Sequence, residues 1–272
     1  MSPSDFVLID RPQPGVALVT LNRPERMNSM AFDVMIPLRD ALAELNHDND
    51  VRVVVLTGAG RGFSSGADHK SAGAVPHVAG LTRPTYALRS MEILDEVILA
   101  MRRLHQPIIA AVNGAAIGGG LCLALAADIR VAASDAYFRA AGINNGLTAS
   151  ELGLSYLLPR AIGSSRAFEI MLTGRDVDAG EAERIGLVSR QVPAADLLPT
   201  CYEMAERIAG FSRPGTELTK RTLWTGLDAS TLEGHMQAEG LGQLYVRLLT
   251  ANFEEAVAAR AENRDPAFTD EK

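Results

Sequence analysis

Apolar strand-like runs alternate with helix-like stretches through the first two-thirds of the chain. Short runs of β-branched and apolar residues predict four strands, at residues 16–23, 51–58, 107–112 and 129–134. Apolar residues at helical spacing predict one helix over residues 34–45 and another over residues 94–101. This alternation predicts an α/β body.

The pattern changes after about residue 195, where apolar residues keep helical spacing and strand-like runs disappear. We therefore predict two parts, a core over residues 1–194 and an all-helical C-terminal region over residues 195–272. Residues 59–84 are rich in Gly, Ala and Ser and show no sustained period. That composition predicts a functional or mobile loop.

The most apolar stretch, residues 107–127, approaches the length of a membrane span. Pro107, the Asn113-Gly114 pair and three consecutive glycines divide it into a strand, a turn and a helix. We therefore predict that this stretch lies in the core of the fold and that the chain has no membrane span.

Composition and charge narrow the class of protein. Hydrophobic residues make up 47% and charged residues 22% of the 272 residues, which is typical of a soluble globular protein with a full core. The net charge of −7 argues against nucleic-acid binding. Cys122 and Cys201 lie far apart and form no paired motif, and the histidines lack metal-binding spacing. We therefore predict that the protein holds no metal. The N-terminus has no signal-peptide pattern, and with the unpaired cysteines this predicts a cytoplasmic protein.

Three consecutive glycines, residues 118–120, lead directly into an apolar, helix-forming stretch. The chain lacks the G-K-[ST] of a phosphate-binding loop, and the glycine spacing differs from the dinucleotide-binding fingerprint. Residues 62–66, GFSSG, match the nucleophile elbow of hydrolases. A Gly/Ala-rich loop follows them instead of a helix, so we interpret that match as accidental.

With these motifs set aside, the glycines at 118–120 are left in a tight turn between a strand and the first turn of a helix. Such a helix start offers unpaired N–H groups to an anion, or to an oxygen that becomes one. A second loop of small residues, FSSGAD at 63–68, follows another strand and can supply a second donor. Two convergent donors form an oxyanion hole, although a tight turn explains either loop better when it is taken alone.

Five segments, taken together and in this order, resemble the crotonase family of enoyl-CoA hydratases and isomerases. They are LNRPERMNSM (21–30), GRGFSSGADHK (60–70), AAVNGAAIGGGLCLALAADIRVAASDAYF (110–138), YLLPRAIG (156–163) and MLTGRDVDAGEAERIGLV (171–188). The resemblance implies a spiral of ββα units followed by a helical C-terminal oligomerisation region. It also implies assembly into a homotrimer or a hexamer.

In this family the oxygen of an acyl-CoA thioester lies between two backbone N–H groups, and the matching positions are Ala67 and Gly119. The resemblance implies that coenzyme A enters as part of the substrate, with no separate cofactor. The substrate-binding residues that it implies are Met27, Asn28, Ala67, Asp68, His69, Lys70 and Gly119.

Charged residues near these loops have two interpretations. Arg23, Arg26 and Lys70 are candidates for contacts with the phosphates of coenzyme A, although solvated surface charge explains each of them singly. We expect Asp68 to fix its loop by accepting hydrogen bonds, and Asp128 to cap the start of a strand.

The chain departs from the hydratases of this family at two positions. Those enzymes use two glutamates, and the matching positions here carry Cys122 and Gly142. A thiol and a glycine cannot divide acid and base roles across a double bond as two carboxylates do. Isomerases of the family carry a carboxylate further along, where Ser150 or Glu151 stands here. Glu151 is a candidate base, although a helix start near Ser150, with Glu151 stabilised by the helix dipole, explains it equally well.

The sequence therefore predicts an acyl-CoA enzyme that stabilises a thioester enolate and shifts a double bond or a proton. Two alternatives stay open. One is an enoyl-CoA hydratase of fatty-acid metabolism, and the other is an acyl-CoA-binding member of the family with little catalysis.

Overall fold

Strands from the first two-thirds of the chain form two sheets in the computed structural model, which describes residues 3–269. The strands are β1 (Val7–Gln13), β2 (Val16–Leu21), β3 (Val53–Gly58), β4 (Gly62–Ser64), β5 (Ile108–Val112), β6 (Ala115–Ile117), β7 (Ile129–Ala133), β8 (Tyr137–Arg139), β9 (Asp176–Asp178) and β10 (Arg190–Val192). The larger sheet has the order β1-β2-β3-β5-β7-β10, and the smaller has the order β4-β6-β8-β9.

Helices lie between these strands and then make up the C-terminal region. They are α1 (Phe32–His47), α2 (Arg83–Arg103), α3 (Gly119–Ala126), α4 (Leu154–Ile162), α5 (Ser164–Thr173), α6 (Ala179–Arg184), α7 (Leu197–Ala209), α8 (Arg213–Gly226), α9 (Leu232–Leu249) and α10 (Asn252–Glu262). The all-helical pattern read after residue 195 corresponds to α7 through α10.

A strand of the larger sheet, a strand of the smaller sheet and a helix follow one another in repeated order. β3, β4 and α2 form one such unit, and β5, β6 and α3 form the next. Corresponding strands are parallel, with Val54 opposite Ile108 in the larger sheet and Gly62 opposite Ala115 in the smaller sheet. The predicted spiral of ββα units is confirmed.

The larger sheet contributes the centre of the hydrophobic core. β3 and β5 are buried along their whole lengths, which explains why their sequences are continuous apolar runs instead of alternating ones. α7, the first helix beyond residue 194, adds Leu197, Cys201 and Ala205 to the same core. The division of the chain at residue 194 stays a prediction.

Asp128, which immediately precedes β7, links α8 to the core. Its carboxylate accepts hydrogen bonds from the Ile108 N–H at 2.7 Å and from Nε1 of Trp224 at 2.6 Å. Nζ of Lys220 lies 3.0 Å from the same carboxylate and also donates to the carbonyl oxygen of Gln106 at 2.9 Å. Lys220 is buried, so this ion pair fastens the C-terminal region to the strands.

α9 contrasts with the core helices because none of its residues is buried. Its large apolar side chains are exposed, and they are Leu232, Met236, Leu241, Leu244, Tyr245, Leu248 and Leu249. Exposed apolar surface of this extent is typical of a surface that another protein covers.

Differences from the sequence predictions concern short elements. The four predicted strands correspond to β2, β3, β5 and β7, but the loop predicted at residues 59–84 contains β4 and the start of α2. Strands β4, β6 and β8 have only three residues each, too few for a periodic pattern to show. Among residues 3–269, no helix combines the length and apolar character needed to cross a membrane.

Candidate active site

Two loops meet at one edge of the smaller sheet. β4 leads into Gly66 and Ala67, and β6 leads into Gly118 and Gly119 at the start of α3. Because β4 and β6 are parallel neighbours, their C-terminal ends lie side by side. A Cβ atom built on Gly66 would lie 2.6 Å from the carbonyl oxygen of Ile117 and 3.5 Å from the backbone nitrogen of Gly119. The two loops are therefore in direct contact.

The N–H groups of Ala67 and Gly119 have no hydrogen-bond acceptor within the described part of the chain. Met30 forms a parallel bridge to Ala67 by donating to the carbonyl oxygen of Gly66 at 2.7 Å and accepting from the Asp68 N–H at 3.0 Å. That bridge does not use the Ala67 N–H. Gly119 is the first residue of α3, where N–H groups lack partners within the helix. The adjoining loops thus offer two backbone donors.

A different neighbour occupies the space beside each of the three glycines at the start of α3, its N-cap Gly118 and its first two residues. A Cβ atom built on Gly118, where φ is 53°, would lie 3.1 Å from Oε1 of Glu151. A Cβ atom on Gly119 would overlap Sδ of Met30, and one on Gly120 would overlap the carbonyl oxygen at the end of β4. The neighbouring strand excludes a side chain at Gly120, a side chain at Gly119 would displace the thioether of Met30, and the positive φ of Gly118 disfavours any other residue there.

Glu151 lies in a turn before α4, with its carboxylate beside Gly118. Its side chain is half-buried, whereas Ser150 is exposed. Burial raises the pKa of the Glu151 carboxyl, and the nearby charge of His69 counteracts part of that rise. α4 begins at Leu154, with Gly153 as its N-cap. The alternative that a helix starts near Ser150 and contains Glu151 is therefore wrong.

Cys122 is fully buried in the first turn of α3. Its thiol lies 3.3 Å from the carbonyl oxygen of Gly118 and 3.5 Å from that of Glu151. Burial and, to a smaller extent, the charge of Glu151 raise the pKa of the thiol well above its usual value. Cys122 is thus a neutral packing group and hydrogen-bond donor between these two segments, with no nucleophilic character.

Gly142 stands where the backbone leaves no room for a side chain. A Cβ atom built there would overlap the carbonyl oxygen of Thr148. The intervening loop folds back on itself, and the N–H groups of Asn145 and Leu147 donate to the Gly142 carbonyl oxygen at 3.1 and 3.0 Å. A glutamate at this position would therefore require the whole loop to move.

Asp68 is the centre of a buried charged cluster beside the Ala67 loop. Its side chain is 2% exposed, accepts from Arg26 at 2.6 Å and lies 3.1 Å from Nη1 of Arg23. The backbone N–H groups of Lys70 and Ser71 each donate to it at 2.9 Å. Burial alone would raise the pKa of Asp68, but these hydrogen bonds outweigh it and hold the pKa well below its usual value.

We predict that Asp68→Asn lowers the free energy of unfolding at neutral pH by about 3 kcal/mol, because it leaves the buried Arg23 charge without its closest partner. The pKa of Asp68 is lower in the folded than in the unfolded chain. Its stabilisation is therefore complete above the unfolded pKa of about 4 and is lost as the pH falls below it. Urea unfolding of both proteins between about pH 3 and 7 measures this difference. A constant difference across that range would contradict the prediction.

The other predicted binding residues lie on both sides of this cluster. Asn28 is fully buried, and its side-chain amide donates to the carbonyl oxygens of Ala59 and Gly62 at 2.9 and 2.8 Å. It holds the local backbone and has no amide hydrogen left for a ligand. Met27, half-buried beside it, shares its left-handed backbone conformation, since both φ angles are 52°.

The candidates for phosphate contacts differ in exposure. Arg23 and Arg26 pair with Asp68, whereas Lys70 is exposed directly after the same loop. His69 is also exposed and lies within electrostatic reach of Glu151. Among residues 3–269, no group of three or more His, Cys, Asp and Glu side chains is placed to hold a metal ion.

Sequence reasoning missed Met30 and Leu152, which are both buried beside Gly119. A Cβ atom built on Gly119 would lie 3.3 Å from Cδ1 of Leu152. Met30 lies in the segment 21–30 that carries part of the family resemblance. Nothing about a methionine there indicates contact with Gly119, nearly ninety positions further along the chain. Leu152 precedes a glycine, and that pair was the only local sign of a turn.

Comparisons with known proteins agree along nearly the whole chain. The family model described as enoyl-CoA hydratase/isomerase matches residues 11–271. A probable enoyl-CoA hydratase of Mycobacterium bovis is 81% identical over 270 residues, which cover 99% of this chain and 95% of that protein.

Two solved structures share 73% sequence identity with the chain. One is a probable enoyl-CoA hydratase/isomerase from Mycobacterium abscessus, with a TM-score of 0.95 over 98% of this chain and 100% of that chain. The other is described as a monofunctional enoyl-CoA isomerase from M. smegmatis, with a TM-score of 0.74 over 86% of this chain and 99% of that chain.

Proposed function

The chain belongs to the enoyl-CoA hydratase/isomerase family, and from that membership we propose that it is an enzyme that shifts a proton, and with it a double bond, along an enoyl-CoA substrate. The observation that carries this proposal is the half-buried Glu151 carboxylate, whose Oε1 approaches Gly118 at the start of α3. It stands beside the loops that offer the Ala67 and Gly119 N–H groups.

The proposed reaction needs only this carboxylate and the two backbone donors. The thioester oxygen accepts hydrogen bonds from Ala67 and Gly119, and Glu151 removes a proton from the α carbon. The electron pair of that C–H bond moves into the thioester, and the donors stabilise the negative oxygen. Glu151 then returns the proton to the γ carbon, so the double bond moves from β,γ to α,β. A raised pKa brings the carboxyl closer to the range that suits reversible proton transfer.

The same geometry argues against efficient water addition. Cys122 is a buried neutral thiol, and Gly142 has no space for a side chain. A single carboxylate cannot both activate water and protonate the adjacent carbon as readily as two can. The isomerase described from M. smegmatis, 73% identical to this chain, supports the proton shift, whereas the name of the M. bovis relative favours hydration.

We expect crotonyl-CoA hydration with kcat/KM below about 10⁴ M⁻¹s⁻¹, the lower end of the usual enzyme range. The measurement follows hydration, double-bond isomerisation of a 3-enoyl-CoA and thioester hydrolysis in parallel on one preparation. Isomerisation should be the fastest of the three. Hydration near the diffusional ceiling of about 10⁸ M⁻¹s⁻¹ would restore the hydratase alternative, and binding without any turnover would favour an acyl-CoA-binding role.

We also propose that the chain assembles into a homotrimer or a hexamer through the exposed apolar side chains of α9. Light scattering after size exclusion should give three or six times the mass of one chain. Leu244 is 55% exposed on α9, and a charge there would have to be desolvated in an interface. Leu244→Glu should therefore reduce the mass, while Leu88→Glu on α2, also exposed, serves as the matched control. A monomeric native protein would refute this assembly.

A further inference from the structure

The turn that carries Glu151 has a backbone conformation that leucine rarely adopts. The Leu154 N–H donates to the carbonyl oxygen of Glu151 at 2.7 Å and closes a four-residue turn. Its two central residues, Leu152 and Gly153, have φ angles of 46° and 79°. Two positive φ values define a type I′ turn, which favours Asn or Gly at both central positions. Leucine suffers steric strain there, so the surrounding structure must compensate for it.

The side chain of Leu152 provides that compensation. It is 6% exposed, and its Cδ1 packs against Gly119 at the start of α3. The thiol of Cys122 lies 3.5 Å from the carbonyl oxygen of Glu151 and ties the other side of the turn to the same helix. The turn is thus held to α3 at two points, the side chain of Leu152 and the carbonyl oxygen of Glu151.

We propose that Leu152 is a positioning residue, which anchors the Glu151 carboxylate beside Gly118 by packing its own side chain against Gly119. The proposal rests on the proposed function only in giving Glu151 the role of the base. Burial of the Leu152 side chain holds the turn against α3 and so keeps the backbone of Glu151 close to Gly118. Without that anchor the turn can relax and the carboxylate can reach water.

Three substitutions at position 152 test the side-chain contact. Leu152→Gly and Leu152→Asn remove the apolar contact and relieve the backbone strain, whereas Leu152→Met keeps an apolar side chain of similar volume on the same strained backbone. Thermal unfolding and the stoichiometry of acyl-CoA binding establish that each variant is folded.

The first readout needs no catalysis. Carbon-13 NMR follows the titration of the Glu151 carboxyl, with Glu151→Gln identifying its resonance. In Leu152→Gly and Leu152→Asn the pKa of Glu151 should move down towards its usual value, because the carboxylate becomes solvated. His69, whose charge acts on Glu151, and Cys122, whose thiol lies 3.5 Å from the carbonyl oxygen of Glu151, are the same in every variant. In Leu152→Met the titration should match that of the native protein.

The second readout is kcat for isomerisation, which should fall about tenfold or more in the Gly and Asn variants because the base is misplaced. KM should stay nearly unchanged, since both backbone donors remain, and Leu152→Met should retain kcat. A native titration and native kcat in Leu152→Asn would overturn the proposal, as would an equal loss in Leu152→Met. If Glu151→Gln retains full isomerisation, the proposed function fails, and the titration still decides the role of Leu152.

Discussion

Glutamine in place of Glu151 should lower the rate of deuterium exchange at the α carbon of bound acyl-CoA by about 10²–10⁴-fold, the usual contribution of a general base. Glutamine keeps the shape and the hydrogen-bonding capacity of the side chain beside Gly118 but cannot accept the proton. Ligand affinity should remain nearly unchanged, because the backbone donors of Ala67 and Gly119 are untouched. Mass spectrometry of the recovered acyl-CoA measures the exchange, and calorimetry measures the affinity.

The pH dependence gives a further test of the same residue. Exchange in the native protein should fall as the pH decreases through the pKa of Glu151, because only the ionised carboxylate can take the proton. Burial raises that pKa, so the acid limb of kcat/KM should lie above the usual glutamate value of about 4.3. Glu44→Gln, at an exposed position on α1, is the control and should keep the native profile. Unchanged exchange in Glu151→Gln would exclude Glu151 as the base.

Gly119→Pro should reduce the turnover of any acyl-CoA substrate by roughly 100-fold or more, the effect of removing one oxyanion donor. Proline has no backbone N–H, and the first position of a helix accepts it because that N–H has no helical partner. The negative oxygen of the enolate would then keep only the Ala67 donor. Single-turnover kinetics with saturating substrate measure the loss.

A steric control is needed because any side chain at position 119 overlaps Sδ of Met30. Gly119→Ala introduces the same Cβ atom but keeps the N–H, so the ratio of the two variants isolates the donor. Circular dichroism and thermal unfolding show whether each variant remains folded. Equal activities of Gly119→Pro and Gly119→Ala would exclude Gly119 as an oxyanion donor.

The sequence predicted those elements that depend only on residues close together in the chain. β3 and β5 are long apolar runs, and the glycines before α3 indicate close approach, so the α/β body and the helix start could be predicted. The three-residue strand β4 could not be, because its pairing with β6 depends on contacts some fifty residues away. Periodicity carries no information about such distant partners.

The candidate site was predictable only where a residue type or a motif marks it. The small residues of the two loops indicated the backbone donors, whereas the choice between Ser150 and Glu151 depended on side-chain direction. That direction follows from a left-handed leucine, which has no sequence signature of its own. The packing of Gly142 against Thr148 was likewise invisible, since glycine at that position is also explained by an ordinary turn.

The packing around the three glycines distinguishes two parts of the site, which meet where Leu152 packs against Gly119. The backbone donor at the start of α3 is enclosed by Met30 and by the end of β4, and a side chain at the adjacent Gly120 would meet the backbone of Ser64 and disturb the spiral itself. The carboxylate comes instead from residues 142–153, a loop whose positions 143–148 are exposed. Under the proposed function, exchanging this loop would change the acid–base group while both backbone donors remain in place. Chimeras that graft the corresponding loop of a hydratase onto this chain would show how far such modularity extends.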